Sequence, residues 1–191
     1  MKRLSYFIIL LMIGCSAPKS NIQVTIFTAE GTIKLELYQH KAPKTVANFL
    51  SYVDQNLYDG SLFYRTVKPD NQPNNETKIE VIQAGLEFND TDEEFPPIHH
   101  ENTQKTGIFH VDGAISMARS DTGTVTSEFF ICINNQPELD YGGHRNPDLQ
   151  GFAAFGKVIE GMNVVRTIQY IPDVNQLLIQ PVVIDSIRRT K

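Results

Sequence analysis

Two runs, Gly113-Ala114-Ile115-Ser116-Met117-Ala118-Arg119 and Ser127-Glu128-Phe129-Phe130-Ile131, carry the residue types best suited to build a binding surface. The first ends in small residues, which leave its backbone open to close approach. The second holds paired phenylalanines. Successive side chains on a strand point to opposite faces, so one phenylalanine can fill a core while the other lines a pocket. Two polar side chains stand on neighbouring strand-like runs: Arg65 in Phe63-Tyr64-Arg65, and Gln83 in Val81-Ile82-Gln83-Ala84-Gly85. Taken alone, Arg65 reads as a solvated strand-end charge and each apolar residue as plain core. His99-His100-Glu101 has the composition of a metal cluster. Adjacent side chains diverge on an extended chain and no third ligand follows at useful spacing, so no metal is expected. His110 and His144 read as loop residues. Cys132, in an apolar run, reads as a buried inert thiol. No Ser–His–Asp set has supporting context, and there is no glycine-rich phosphate loop.

The elements that must position these residues follow from periodicity. Asn21 to Thr28 and Thr32 to Tyr38 both alternate and meet at Ala29-Glu30-Gly31, which predicts a β-hairpin. Val46, Phe49, Leu50 and Val53 fall at i, i+3, i+4 and i+7, one face of a helix opened by Pro43 and capped by Thr45. Ser61 to Val67, Ile79 to Gln83, Phe152 to Val158 and Val182 to Ile187 read as strands. Gly161 to Arg166 opens a second helix, with Met162, Val165 and Ile168 facing inward. Lys68 to Lys78, polar with two prolines and three asparagines, reads as a loop. Leu86 to Asp112 is long and irregular. Many short strands with two helices predict a mainly β fold, a closed antiparallel barrel of about eight strands capped by two α-helices.

The chain has 191 residues and a formal net charge of -5, ordinary for one soluble domain and unfavourable for nucleic acid. Its start is of another kind. Lys2 and Arg3 precede an apolar run, Tyr6 to Ile13, far shorter than the roughly 20 residues of a spanning helix. Leu11-Met12-Ile13-Gly14-Cys15 resembles a bacterial lipobox, with methionine where leucine is usual. The expected organisation is a lipoprotein signal peptide over residues 1–14, a tether over 15–20 and one domain over 21–191, with Cys15 lipidated. Lipidation would leave Cys132 without a disulfide partner. The expected location is a bacterial cell envelope, on the periplasmic side of a membrane, with Ser16 favouring the outer one.

The S-M-A-R and S-E-F-F-I segments, together with A-P-K-T-V-x-N-F at the first helix and F-Y-R at Arg65, resemble the cyclophilins, a family of peptidyl-prolyl isomerases. The resemblance runs from about Asn21 to Arg188. It implies the closed barrel, no cofactor, proline-containing polypeptides as partners and a monomer. Rotation about a peptide bond costs about 18–20 kcal/mol because amide resonance is lost. X-Pro bonds populate both isomers yet exchange over tens of seconds. In the twisted state the prolyl nitrogen gains a lone pair, and a donor aimed at it acts more strongly there than in the ground state. By resemblance Arg65 is that donor and Gln83 orients it. Val81, Phe130, Leu139 and Phe152 form the proline pocket, and Ala118 and Arg119 form the wall whose backbone pairs with substrate.

Several residues depart from the family pattern. Glu128 replaces a glutamine beside the substrate and is placed to pair with Arg65. Glu80 stands near a pocket phenylalanine, Val81 replaces a larger residue, Glu138 replaces an aromatic and Tyr64 replaces a histidine. The loop Lys68 to Lys78 lengthens the spacing from Arg65 to Gln83 and is expected at the mouth of the site. The reading is a prolyl isomerase that assists folding of cell-envelope proteins. The alternative is a weak or inactive proline-segment binder on the same fold.

Overall fold

Nine strands form one antiparallel sheet among the described residues of a computed structural model, which are 20–89 and 95–190. The strands are β1 (Ile22–Thr28), β2 (Gly31–Leu37), β3 (Leu62–Val67), β4 (Val81–Gly85), β5 (Ala114–Met117), β6 (Phe129–Cys132), β7 (Ala153–Glu160), β8 (Asp173–Val174) and β9 (Leu177–Thr190). Their order is β1-β2-β7-β5-β6-β4-β3-β9-β8, and β1 also pairs with β9. That pairing, from Gln23 opposite Thr190 to Thr28 opposite Ile184, closes eight strands into a barrel and leaves β8 as a short hairpin on β9. Closure removes the unpaired edges that an open sheet would present. The signal segment 1–14 and Cys15 lie outside the described residues.

Helices α1 (Pro43–Asp54) and α3 (Met162–Gln169) pack their apolar faces into the barrel core, as their periodicity predicts. Val46, Phe49, Leu50 and Val53 are all buried. The start of α1 differs from expectation. Thr45 lies inside the helix, and both its backbone N–H and its Oγ1 donate to Glu101 Oε2 at 2.8 Å. A carboxylate from a distant loop therefore caps the first turn, where the helix dipole favours negative charge. In α3, Val164, Val165 and Ile168 are buried, and Met162 packs at the edge of the core. Gly161 precedes it at φ +94°, with Thr32 O only 2.2 Å from where a Cβ would stand, so a side chain there is excluded. A single helical turn, α2 (Thr103–Thr106), lies in the segment that reads as irregular.

While β8 has no buried residue, the barrel buries one face of each of its eight closed strands. Its interior is one cluster in which Phe49 meets Phe129 edge-on at 5.5 Å and Phe155 at 5.2 Å. A second, smaller cluster lies on the outer face of β4, β5 and β6: Val81, Ala114, Phe130, Cys132 and Leu139, with Val67 and Ile79, and Ala118 and Phe152 packed against them. Phe129 belongs to the first and Phe130 to the second, so the period-2 alternation splits the pair between interior and exterior.

Candidate active site

Arg65 owes its position to an irregularity. Phe63 pairs with Ala84 and points into the barrel. Two residues on, a regular strand would point Arg65 into the barrel as well. The register shifts between Phe63 and Arg65, so Arg65 sits opposite Gln83 with Tyr64 bulged between them. A bulge of this kind re-aims the residues that follow it, and here it turns Arg65 to the outer face.

That face carries a cleft of about 450 Å³, lined by Arg65, Val81, Gln83, Ala118, Arg119, Glu128, Phe130, Leu139 and Phe152 among others. All nine barrel residues that the sequence singles out thus meet in one place. Phe130 and Leu139 are buried at its floor, and Phe152 meets Phe130 edge-on at 5.3 Å. Arg119 spreads its guanidinium over the Phe152 ring at 5.3 Å and pairs with both oxygens of Asp148 at 2.8 and 2.9 Å. Its charge is therefore already satisfied.

The polar side of the cleft is one directed chain of hydrogen bonds. Arg65 Nη1 donates to Gln83 Oε1 at 2.8 Å, Gln83 Nε2 donates to Tyr64 Oη at 2.6 Å, and Tyr64 O–H donates to Glu128 Oε2 at 2.6 Å. The backbone N–H of Glu87 donates to Glu128 Oε1 at 3.0 Å. Glu128 does not pair with Arg65, contrary to the sequence expectation. Its carboxylate acts two groups away, fixing which end of the Gln83 amide faces the guanidinium. Burial pushes the Glu128 carboxyl above its ordinary range, with the Tyr64 and Glu87 donors pulling the other way. Burial and the Glu128 charge together push the Tyr64 phenol up, and burial lowers Arg65.

Further features follow from long-range contacts. Gln176 accepts from Arg65 Nε at 3.1 Å and Nη2 at 2.5 Å, and its own Nε2 donates to Asn71 O. It occupies the two-residue turn between β8 and β9, where Asn175 and Gln176 both have positive φ, 51° and 72°. Such turns favour glycine at the second position, so a glutamine there accepts backbone strain to place its amide. Of the five guanidinium N–H donors of Arg65, Gln83 and Gln176 hold three, which leaves two for a ligand. The loop from Lys68 to Lys78 contains one 3-10 turn, Pro69–Asn71, and supports Gln176 through Asn71. Ser116, His110 and Asp140 form a Ser–His–Asp set, with His110 2.7 Å from Asp140 Oδ1 and 3.0 Å from Ser116 Oγ. Ser116 is fully buried, so this set is no nucleophile. It braces Phe130, on which the His110 ring stacks at 6.0 Å.

Two of the departures fall elsewhere than the sequence places them. Ile79, not Glu80, lines the cleft; Glu80 accepts from Asn134 at 2.9 Å on the surface. Glu138 is turned away to the backbone N–H of His144 at 2.8 Å, which lowers its carboxyl below the usual range. Of the histidine pair, His100 Nε2 meets Gln150 O at 3.2 Å while Glu101 caps α1, and no metal-ligating group of three occurs among the described residues.

The cyclophilin type peptidyl-prolyl cis-trans isomerase/CLD family model matches residues 22–189. A peptidyl-prolyl cis-trans isomerase of Acinetobacter baylyi is 35% identical over 154 residues, 80% of this chain and 74% of that one. Peptidyl-prolyl cis-trans isomerase A of Dickeya dadantii is 32% identical over 183 residues, 92% of this chain and 88% of that one. The crystal structure of a Cryptosporidium parvum cyclophilin type isomerase superposes with a TM-score of 0.72 at 23% identity, covering 90% of this chain and 98% of that one, a likeness of fold. The chain belongs to the cyclophilin-type peptidyl-prolyl cis-trans isomerases.

Proposed function

We propose that this isomerase rotates X-Pro bonds of polypeptides in a bacterial cell envelope, tethered to a membrane by lipid on Cys15. The observation that carries the catalytic reading is Arg65, held by Gln83 and Gln176 with two N–H donors left over an apolar floor. A proline ring seated on Phe130 and Leu139, against Val81 and Phe152, brings its nitrogen beneath those donors. The backbone at Ala118 and Arg119 aligns the chain around it. As the amide twists, the nitrogen becomes pyramidal and its lone pair accepts from Arg65. The guanidinium stays charged throughout, so no proton is transferred and no cofactor enters. The lipobox-like Leu11 to Cys15 supports the tether, and Ser16 supports outer-membrane sorting.

Turnover of a short X-Pro peptide, read by NMR exchange, tests the site. Arg65→Ala is expected to lower it at least tenfold, about 1.4 kcal/mol of transition-state stabilisation, in a protein that keeps its fold. Wild type that binds the peptide without turning it over would replace the catalytic reading with a binding one. For the tether, Cys15→Ser is expected to move the protein from the membrane to the soluble fraction. Unchanged membrane association would remove the lipid from the account.

A further inference from the structure

Arg145 is a third guanidinium in the same cleft, beside Arg65 and Arg119, and no motif points to it. It stands on the loop between Leu139 and Phe152. Its Nη1 donates to Gln72 Oε1 and Thr77 O, both at 2.9 Å, so it clasps the Lys68 to Lys78 loop. Those two bonds use both Nη1 hydrogens, and the Nε and Nη2 donors are left without an acceptor among the described residues. The loop that carries Arg145, between Leu139 and Phe152, is fastened at its other end by Arg119, through Asp148 and Gly151. It therefore arcs along the pocket from the Arg119 wall to the Arg145 wall.

The two walls differ in charge. Arg119 has Asp148 as its counterion. Neither Arg145 nor Arg65 has a carboxylate partner among the described residues. Arg145 lies close enough to Arg65 that Arg65's charge, together with burial, lowers its proton affinity. Two guanidinium ions in one cleft without a carboxylate partner disfavour each other's charge, in a chain with net charge of -5 that has acids to spare. The neighbouring Asn146 lines the cleft too, and its Nδ2 is buried with no acceptor. Glu87 and Glu128 also line the cleft; Glu128 accepts from Tyr64 and from the Glu87 backbone N–H, and neither carboxylate pairs with Arg145 or Arg65. The Arg145 side is thus a set of unspent donors with positive charge beside the proline floor. Its chemical complement is a carboxylate, which accepts from a guanidinium in a paired geometry.

We infer that Arg145 selects prolines flanked directly by a carboxylate, either an acidic residue next to the proline or the free C-terminus of a chain that ends in proline. The inference rests on the reading of this cleft as the proline pocket and names its preferred substrate class. Arg145 is a specificity residue here, while Arg65 meets the reacting nitrogen.

The test uses three matched peptide pairs followed by NMR exchange: Glu-Pro against Gln-Pro, Pro-Glu against Pro-Gln, and a terminal proline as free acid against its amide. The expected result is a kcat/KM at least threefold higher for the acid member of at least one pair, and the responding pair identifies the source of the carboxylate. That ratio is expected to shrink between 50 mM and 500 mM salt, to fall below about 1.5 in Arg145→Gln and to recover in part in Arg145→Lys. A clasp that only holds the loop would leave the ratio and its salt dependence unmoved. Wild type that turns over all three pairs with ratios near one overturns the inference and leaves the isomerase reading standing. If no peptide turns over, the isomerase reading fails, and the same pairs are compared by affinity. Equal affinities then overturn the acid preference as well.

Discussion

Phe129 and Phe130 are neighbours in sequence and belong to two different kinds of packing. Phe129 points into the barrel, where Phe49, Tyr58 and Phe63 surround it at ring distances of 5.5, 5.4 and 6.0 Å. Phe130 points outward, braced by His110 and Phe152 and open on one side to the cleft. The interior cluster is closed and apolar and serves stability. The exterior one is a thin apolar floor framed by Arg65, Gln83 and Glu128, and its missing neighbours are what a ligand supplies. One strand thus serves both purposes through the alternation of its side chains.

Truncation at each position separates the two faces and has the largest expected effect. Phe129→Ala should cost about 3–5 kcal/mol of stability, the usual range for deleting a buried aromatic. Phe130→Ala should cost clearly less, because the site already borders solvent, yet lower turnover at least tenfold. Chemical denaturation and peptide exchange on both variants measure this. Equal stability losses, or an unimpaired Phe130→Ala enzyme, would erase the division between a structural and a functional face.

Local periodicity made the outlines of both faces legible. The alternation at Phe129 and Phe130, the apolar stripe of α1 and the hairpin of β1 and β2 are patterns within a few residues, and these regions fold as their sequences read, while β4 runs two residues later, at Val81–Gly85, than the strand read at Ile79 to Gln83. Features set by long-range register were not legible. Arg65 and Phe63 share a parity that would place both inside the barrel, and only the bulge at Tyr64 separates them. Gln176 reaches Arg65 across 111 residues from a turn whose composition carries no catalytic signal. The carboxylate that caps α1 arrives from Glu101, 56 residues beyond Thr45. Glu128 was visible as an anomaly, but its partner depended on where Tyr64 points. For the tether, Leu11 to Cys15 remains a reading of sequence alone.

Gln176 offers a smaller and sharper cut within the outer face. A glycine at its turn position relieves the left-handed backbone, worth roughly 1–2 kcal/mol. The loss of two acceptor contacts to the guanidinium works against that gain by a similar amount. Gln176→Gly is therefore expected to leave stability within about 1 kcal/mol of wild type. Its kcat should fall roughly threefold to tenfold, because Arg65 keeps its charge but loses its aim, a loss of up to about 1.4 kcal/mol. KM should move less than kcat, since the apolar floor is intact. A variant with wild-type kcat would show that Gln83 alone positions the arginine.

The smallest effect should come from Glu128, where the two faces meet: its strand neighbour Phe129 is core, and its carboxylate anchors the relay to Gln83. Burial raises this carboxyl above the ordinary value near 4.5, against the pull of the Tyr64 and Glu87 donors. A group whose folded value is raised binds its proton more tightly in the native state than in the unfolded chain. Its contribution to stability is then complete below the ordinary value and is lost as pH rises through the raised one. Glutamine does not titrate and still offers Tyr64 an acceptor. The stability of Glu128→Gln relative to wild type should therefore increase from pH 4 to pH 8, as measured by urea denaturation across that range. A difference that stays flat, or that runs the other way, would mean that the hydrogen bonds from Tyr64 and Glu87 outweigh burial. The outer face would then hold its carboxylate charged at no cost to the fold.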